Sequence, residues 1–259
     1  MAVFFASPTK LAVWRQCRRR YRFRYVDHVP AKPRPWLSFG QSLHAALKEL
    51  FDTRPENRKW ARAERSYRSN WVRKGYADAA EERTYYERGI AALRRVFASE
   101  DIRSPRPRAL EFTVQAKIDD VVLCGKVDRV DDSHEGMVVT DYKTGRPRAP
   151  ERAQADQAFT MYALLVQARF KRAPARLVWD FVETGDRVVT ARAPEALDRA
   201  RDDVLTLVAQ VRADEEFPAS PGPMCGLCDY LEHCPEGQAV RRDDFPEPPA
   251  ELVVASGEE

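Results

Sequence analysis

One short stretch of acids and a lysine carries the most chemistry in this chain. Val127-Asp128-Arg129-Val130-Asp131 is followed by Val138-Val139-Thr140-Asp141-Tyr142-Lys143-Thr144-Gly145. Side chains alternate along a strand, so Asp141 and Lys143 share a face, about 7 Å apart along it. Their facemates Met137 and Val139 are apolar, so the acid and the lysine interrupt a face that would otherwise bury. A hairpin closing symmetrically around Asp132 and Met137 sets Asp128 directly across from Asp141. Two adjacent carboxylates repel unless a cation or a proton lies between them. Hard oxygen ligands there suit Mg²⁺ or Mn²⁺. Such an ion can polarise a phosphodiester, lower the pKa of a bound water and stabilise a leaving oxygen. Lys143 beside it could orient that water or neutralise growing charge. The same three residues on an exposed hairpin would be an ordinary salt bridge.

A second constellation is sulfur. Cys225-x₂-Cys228-x₅-Cys234 places three thiols within a Gly/Pro-flanked loop able to wrap a metal. Tetrahedral zinc and a [4Fe–4S] cluster both take four ligands. Cys17, on the opening helix, is the natural fourth, and its use would clip together chain ends about 200 residues apart, where closing a long loop stabilises most. For zinc, His233 is a further candidate. Spacing alone leaves iron–sulfur and zinc both open. Cys124, on a strand, reads as a small buried side chain.

These groups need elements to hold them. The chain has 259 residues, 44% hydrophobic, with 43 Lys+Arg against 40 Asp+Glu. That composition excludes wholesale disorder, and the length suits one large domain or two small ones. No apolar run approaches the roughly 20 residues of a membrane helix. No basic segment precedes an apolar one at the start, so no signal peptide is visible and a cytoplasmic location is expected. Five cysteines there point to metal binding or chance rather than to a disulfide framework. Residues 10–25 hold basic side chains and no acid, including Arg18, Arg19 and Arg20. They suit phosphate oxygens, although a solvated helix face would read the same way.

Ser7-Pro8 caps a helix running to about Val26, and Pro30, Pro33 and Pro35 make a loop. Ser38 starts a second helix with the stripe Phe39, Leu43, Ala46, Leu47 and Leu50, and His44 lies beside that stripe. Residues 51–105 form a charged helical insertion. Its Trp60, Tyr67 and Trp71 read first as core packing and second as a stacking platform for single strands. Arg103–Arg108 reads as a linker. From Glu111 the period is β: strands at 111–118, 121–131 and 137–143, a helix over 153–170, strands at 175–182 and 187–191, then a long helix over 195–212. The cysteine segment occupies 215–238. The expected fold is α+β, a central mixed sheet flanked by helices, in one domain over 1–240. Residues 241–259, with six acids against two arginines, read as a disordered acidic tail.

In order along the chain, these motifs resemble the RecB-like branch of the PD-(D/E)XK nucleases. Ser7-Pro8-Thr9-Lys10-Leu11 with Cys17-Arg18-Arg19-Arg20-Tyr21 resembles that branch's opening helix. Gly40 to His44 resembles its G-x-x-x-H helix. Gly125 to Asp131 resembles G-x-x-D-R-V-D, and Asp141 to Gly145 reads D-Y-K-T-G. The resemblance implies a restriction-endonuclease-like core, with His44, Asp128, Asp141 and the Tyr142 carbonyl as ligands of Mg²⁺ or Mn²⁺, and Lys143 as the catalytic lysine. Glu111 stands where an acid is common. The branch's Q-x-x-x-Y ends here at Tyr162, with Ala158 in the glutamine's place and Gln157 one residue earlier. One cysteine upstream and three downstream is similar to the iron–sulfur nucleases of this branch, of AddB and CRISPR-adaptation type. This implies a structural [4Fe–4S] cluster on Cys17, Cys225, Cys228 and Cys234.

The expectation is therefore a DNase for single strands or duplex ends, with Arg18, Arg19, Arg20 and Arg129 as DNA-binding candidates. The alternative is an inactive DNA-binding or assembly subunit with the same fold. No G-x-x-x-x-G-K-[ST] loop is present, so any unwinding in DNA repair or recombination would need a separate helicase.

Overall fold

A computed structural model describes residues 3–240; the acidic segment 241–259 lies outside the described residues. The chain opens with β1 (Phe4–Ala6), α1 (Pro8–Gln16) and α2 (Arg18–Tyr25). Ser7 caps α1, its hydroxyl accepting from the Lys10 N–H at 3.1 Å. The single helix expected to Val26 breaks at Cys17, which is extended (φ −161°, ψ 115°). Tertiary contact overrides helix propensity here: Arg19 donates from its backbone to Pro218 O and from Nε to Phe217 O. The break leaves Cys17 at a corner facing the C-terminal segment.

The second helix, α3 (Pro35–Asp52), begins three residues before Ser38. Proline fits the first helical turn, whose N–H groups have no intrahelical acceptor. Ser38 instead donates its hydroxyl to Lys74 O. The insertion folds as α4 (Trp60–Ser69) and α5 (Ala79–Ala98) against α3. Tyr67 is fully buried, with Trp60 and Trp71 packed on the same cluster, so this aromatic stripe is core.

The sheet follows: β2 (Pro107–Ile118), β3 (Val121–Ser133), β4 (Gly136–Lys143), β5 (Arg176–Phe181) and β6 (Asp186–Thr190). β2 starts at Pro107, so the expected linker is partly strand. The order is β1-β3-β4-β5-β6, with β2 also on β3. β1–β3 and β4–β5 are parallel and the other pairs antiparallel, which makes the sheet mixed. Parallel β4 and β5 need a crossover. α6 (Pro150–Ala155) and α7 (Gln157–Phe170) supply it. The helix expected over 153–170 is divided because Asp156 caps α7, accepting from the Phe159 N–H at 2.7 Å. α8 (Pro194–Ala213) and a short α9 (Pro235–Gln238) are the last helices among the described residues.

Two cores result. The larger joins α1, α7 and α8 to the sheet through Leu123, Val139, Leu165, Trp179 and Val208. The smaller joins α3, α4 and α5 to Tyr142 and Val182. The two cores hold the C-terminal end of β4 between them, so Asp141, Tyr142 and Lys143 emerge from a strand fixed on both sides. No helix among the described residues is long and apolar enough to cross a membrane.

Candidate active site

The β3–β4 ladder pairs Asp132 with Met137, Val130 with Val139 and Arg129 with Thr140. Continued by one step, this register sets Asp128 opposite Asp141, as the hairpin symmetry requires. Ladder pairing stops there. Asp128 Oδ2 accepts from the Tyr142 backbone N–H at 2.8 Å. Asp141 Oδ2 lies 2.7 Å from Lys143 Nζ, consistent with a shared strand face. Asp128 and Asp141 are 7% and 5% exposed, so both are buried carboxylates that must be compensated.

His44 arrives from α3. Its Nδ1 lies 3.4 Å from Asp128 Oδ1 and 3.3 Å from Glu111 Oε1. The ring is set edge-on to Tyr142, with centroids 5.9 Å apart. His44, Glu111 and Asp128 thus offer one imidazole nitrogen and two carboxylate oxygens, all within 4.8 Å of one another. The third corner of this group is Glu111 rather than Asp141, which is tied to Lys143.

Glu111 reaches the group through an unusual backbone. Its φ is +46°, the left-handed region that side chains larger than hydrogen disfavour. Leu110 and Phe112, two residues apart, accordingly pack on different cores. Strain of this kind costs about 1–3 kcal/mol and concentrates at functional sites. Glu111 Oε1 is buried and makes no well-formed hydrogen bond among the described residues, while Oε2 pairs with Lys126.

Burial pushes both acids toward neutrality, yet both are held below the usual carboxylate range. For Asp128 the desolvation is outweighed by the charge and hydrogen bond of His44, the Tyr142 N–H and Lys143. For Glu111 it is outweighed by the close approach of His44 and by Lys126, against the opposing charge of Asp128. Two ionised carboxylates therefore face one another across His44. The donor set and the orphaned oxygen fit a divalent cation, and a mixed N/O set suits Mn²⁺ as well as Mg²⁺.

The other expected residues divide. Gln157 is exposed at the start of α7. Tyr162 is 8% exposed and its ring packs over Gly125 of β3. Arg129 is turned inward: Nε holds Asp131 at 2.7 Å, Nη1 holds the Tyr142 hydroxyl at 2.5 Å, and Phe51 lies under the guanidinium. At 4% exposure it has no face for DNA, contrary to the sequence expectation. Arg20, 6% exposed, is likewise committed, to Gln16 and Asp229. Arg18 and Arg19 are more open, although Arg18 pairs with Asp214 and Arg19 with Glu236.

Cys17, Cys225, Cys228 and Cys234 line one cavity together with Arg20, Phe23 and Met224. Backbone N–H groups of Gly222 and Gly237 point at Cys225 Sγ (3.4 Å) and Cys234 Sγ (3.3 Å). Burial raises the Cys228 and Cys234 thiols. Cys124 stands apart and half-buried, donating to Ala6 O, so it is less enclosed than expected.

Residues 6–235 match the PD-(D/E)XK nuclease superfamily, and the chain belongs to it. Among solved structures it is similar to one from Eubacterium rectale described as "Putative exonuclease". That match has a TM-score of 0.57 at 11% identity, covering 96% of this chain and 92% of that one. A second, SSO0001, aligns with a TM-score of 0.43 at 12% identity, over 92% of this chain and 89% of that one. No curated protein matches the sequence. The first likeness carries the fold: a mixed sheet flanked by helices, of restriction-endonuclease type.

Proposed function

We propose that the protein is a metal-dependent DNase of the RecB-like branch, acting on single strands or duplex ends. The observation that carries this reading is the group of His44, Glu111 and buried Asp128, with the Asp141–Lys143 pair at the neighbouring end of β4. His44, Asp128 and Glu111 would hold Mg²⁺ or Mn²⁺, joined by Asp141 and the Tyr142 carbonyl. When bound, the ion supplies Lewis acidity toward a phosphodiester and acidifies a coordinated water. The chain's own contribution is positional. β3 and β4 fix Asp128 and Asp141, α3 brings His44, and Lys143 presents an ammonium where phosphate charge grows. Gln157 and Tyr162 are accessory candidates on α7, and Arg18 and Arg19 are the DNA-contact candidates that keep some exposure.

The four cysteines around one cavity support a structural [4Fe–4S] cluster, with zinc as the other chemistry for four such ligands. The cluster would hold α1 and α2 against the C-terminal segment and take no part in hydrolysis. A cytoplasmic setting in DNA repair, beside a separate helicase or adaptation protein, is the context this reading favours.

The test is cleavage of end-labelled single-stranded and duplex oligonucleotides with Mg²⁺ or Mn²⁺ by anaerobically purified protein, alongside Lys143→Ala and Asp141→Ala. Divalent-dependent cleavage lost in both variants supports the reading. Binding that survives chelation, with no cleavage under any divalent ion, would instead identify a DNA-binding or assembly subunit. Iron content decides between iron–sulfur and zinc.

A further inference from the structure

Lys143 is the last residue of β4, where a strand's hold on a side chain is weakest. Two interactions secure the backbone around it. Lys143 O accepts from the Val182 N–H at 3.1 Å. Two residues on, the Gly145 N–H donates to Glu183 Oε1 at 2.6 Å, and Gly145 has a φ of +91° that a side chain would resist. Both anchors lie on the turn between β5 and β6. Glu183 is itself pinned from the insertion: Arg88 of α5 donates from Nε (3.1 Å) and Nη2 (2.8 Å) to Glu183 Oε2. The Arg88 guanidinium lies over Phe39 of α3 and Tyr85 of α5, at 5.0 and 4.6 Å from the ring centroids. Arg95 of α5 also donates to Glu183 O.

The geometry points to Glu183 as a positioning residue for Lys143, with Arg88 as its lock. The chain Arg88–Glu183–Gly145 ties the helical insertion to the end of the catalytic strand. It also gives that insertion a task apart from contacting DNA. α3, which carries His44, shares the same anchor through Phe39, so one buttress sets both sides of the site. This inference rests on the nuclease reading above. Displacement of a reacting group by about 1 Å can cost on the order of 100-fold in rate.

The test compares wild type with Glu183→Ala, Glu183→Gln and Arg88→Ala in steady-state cleavage, with oligonucleotide affinity measured separately in chelator. Glu183→Ala is expected to lower kcat by roughly 10- to 100-fold while KM and chelator affinity stay within about 2-fold. Glu183→Gln keeps an oxygen for the Gly145 N–H but turns its amide NH2 toward the Arg88 donors, so it is expected to retain part of kcat, at about the level of Arg88→Ala. Arg88→Ala, at a site 43% exposed, is expected to lower kcat in the same direction but less. A purely structural role would depress melting temperature and leave the kcat of folded protein unchanged, and that result overturns the proposal. So does an Arg88→Ala variant with wild-type kcat beside a Glu183→Ala variant that does not fold. A wild type that cleaves under no divalent ion would overturn the nuclease reading itself, and the positioning role with it.

Discussion

Divalent cations should stabilise this protein, and Asp128→Asn should abolish the effect. Glu111 and Asp128 place ligand oxygens within 4.8 Å of one another beside His44 Nδ1. At an effective dielectric of about 20, two such charges repel by roughly 3–4 kcal/mol, which the metal-free protein offsets with His44 and Lys126. A dication between them turns that repulsion into attraction. At a concentration 100-fold above its Kd it adds about 2.7 kcal/mol of stability. For a chain near this size that is a rise of about 5–10 °C in melting temperature. Asp128→Asn removes one charge yet keeps an oxygen for the Tyr142 N–H, now 2.8 Å from Oδ2. Metal-free variant and wild type should therefore melt within a few degrees of each other. The assay is thermal unfolding in EDTA and in millimolar Mn²⁺ or Mg²⁺. An undiminished metal shift in Asp128→Asn, or none in wild type, would refute the reasoning.

Three further outcomes follow from the same geometry. Asp128 and Glu111 titrate below their ordinary 3.8 and 4.5 because, although burial opposes ionisation, His44 and its neighbours outweigh it. Depressed folded pKa values mean that their stabilisation is present above about pH 5 and lost as pH falls through 4.5 and 3.8 toward the folded values. Metal-free acid melts should show this loss, and it should be smaller in Asp128→Asn. Gly89→Ala in α5 should destabilise by about 1–3 kcal/mol, although helix propensity alone predicts a gain near 1, because the new Cβ would lie 1.9 Å from the Tyr67 hydroxyl. Urea denaturation reads the sign directly. Arg129→Met should cost about 3–5 kcal/mol, since it strands Asp131, 8% exposed, without its cation. The folded fraction should bind DNA as wild type does; weakened binding with unchanged stability would contradict the inward placement.

The hairpin chemistry was legible in the sequence because period two and a symmetric turn fix which residues oppose each other. Asp128 against Asp141, and Asp141 beside Lys143, needed nothing else. Glu111 was only half legible. Its position in the motif could be read, but its approach to His44 and Asp128 depends on a left-handed backbone that no residue type in the stretch announces. Arg129 looked available for phosphate because sequence shows charge and hides burial. Its partners Tyr142 and Phe51 come from β4 and α3. The break at Cys17 was hidden for a similar reason: the helix signal through Arg18–Tyr25 is continuous, and the force that bends it comes from Phe217 and Pro218, about 200 residues away. Glu183 had no motif at all, since its role exists only once α5 and the β5–β6 turn meet.

The most direct measurement is anomalous diffraction from crystals grown with Mn²⁺. A peak is expected that is bounded by His44, Glu111 and Asp128 and within reach of Asp141, and that is absent in His44→Ala crystals. A map with no peak there, or with manganese bound only at unrelated surface acids, would contradict it.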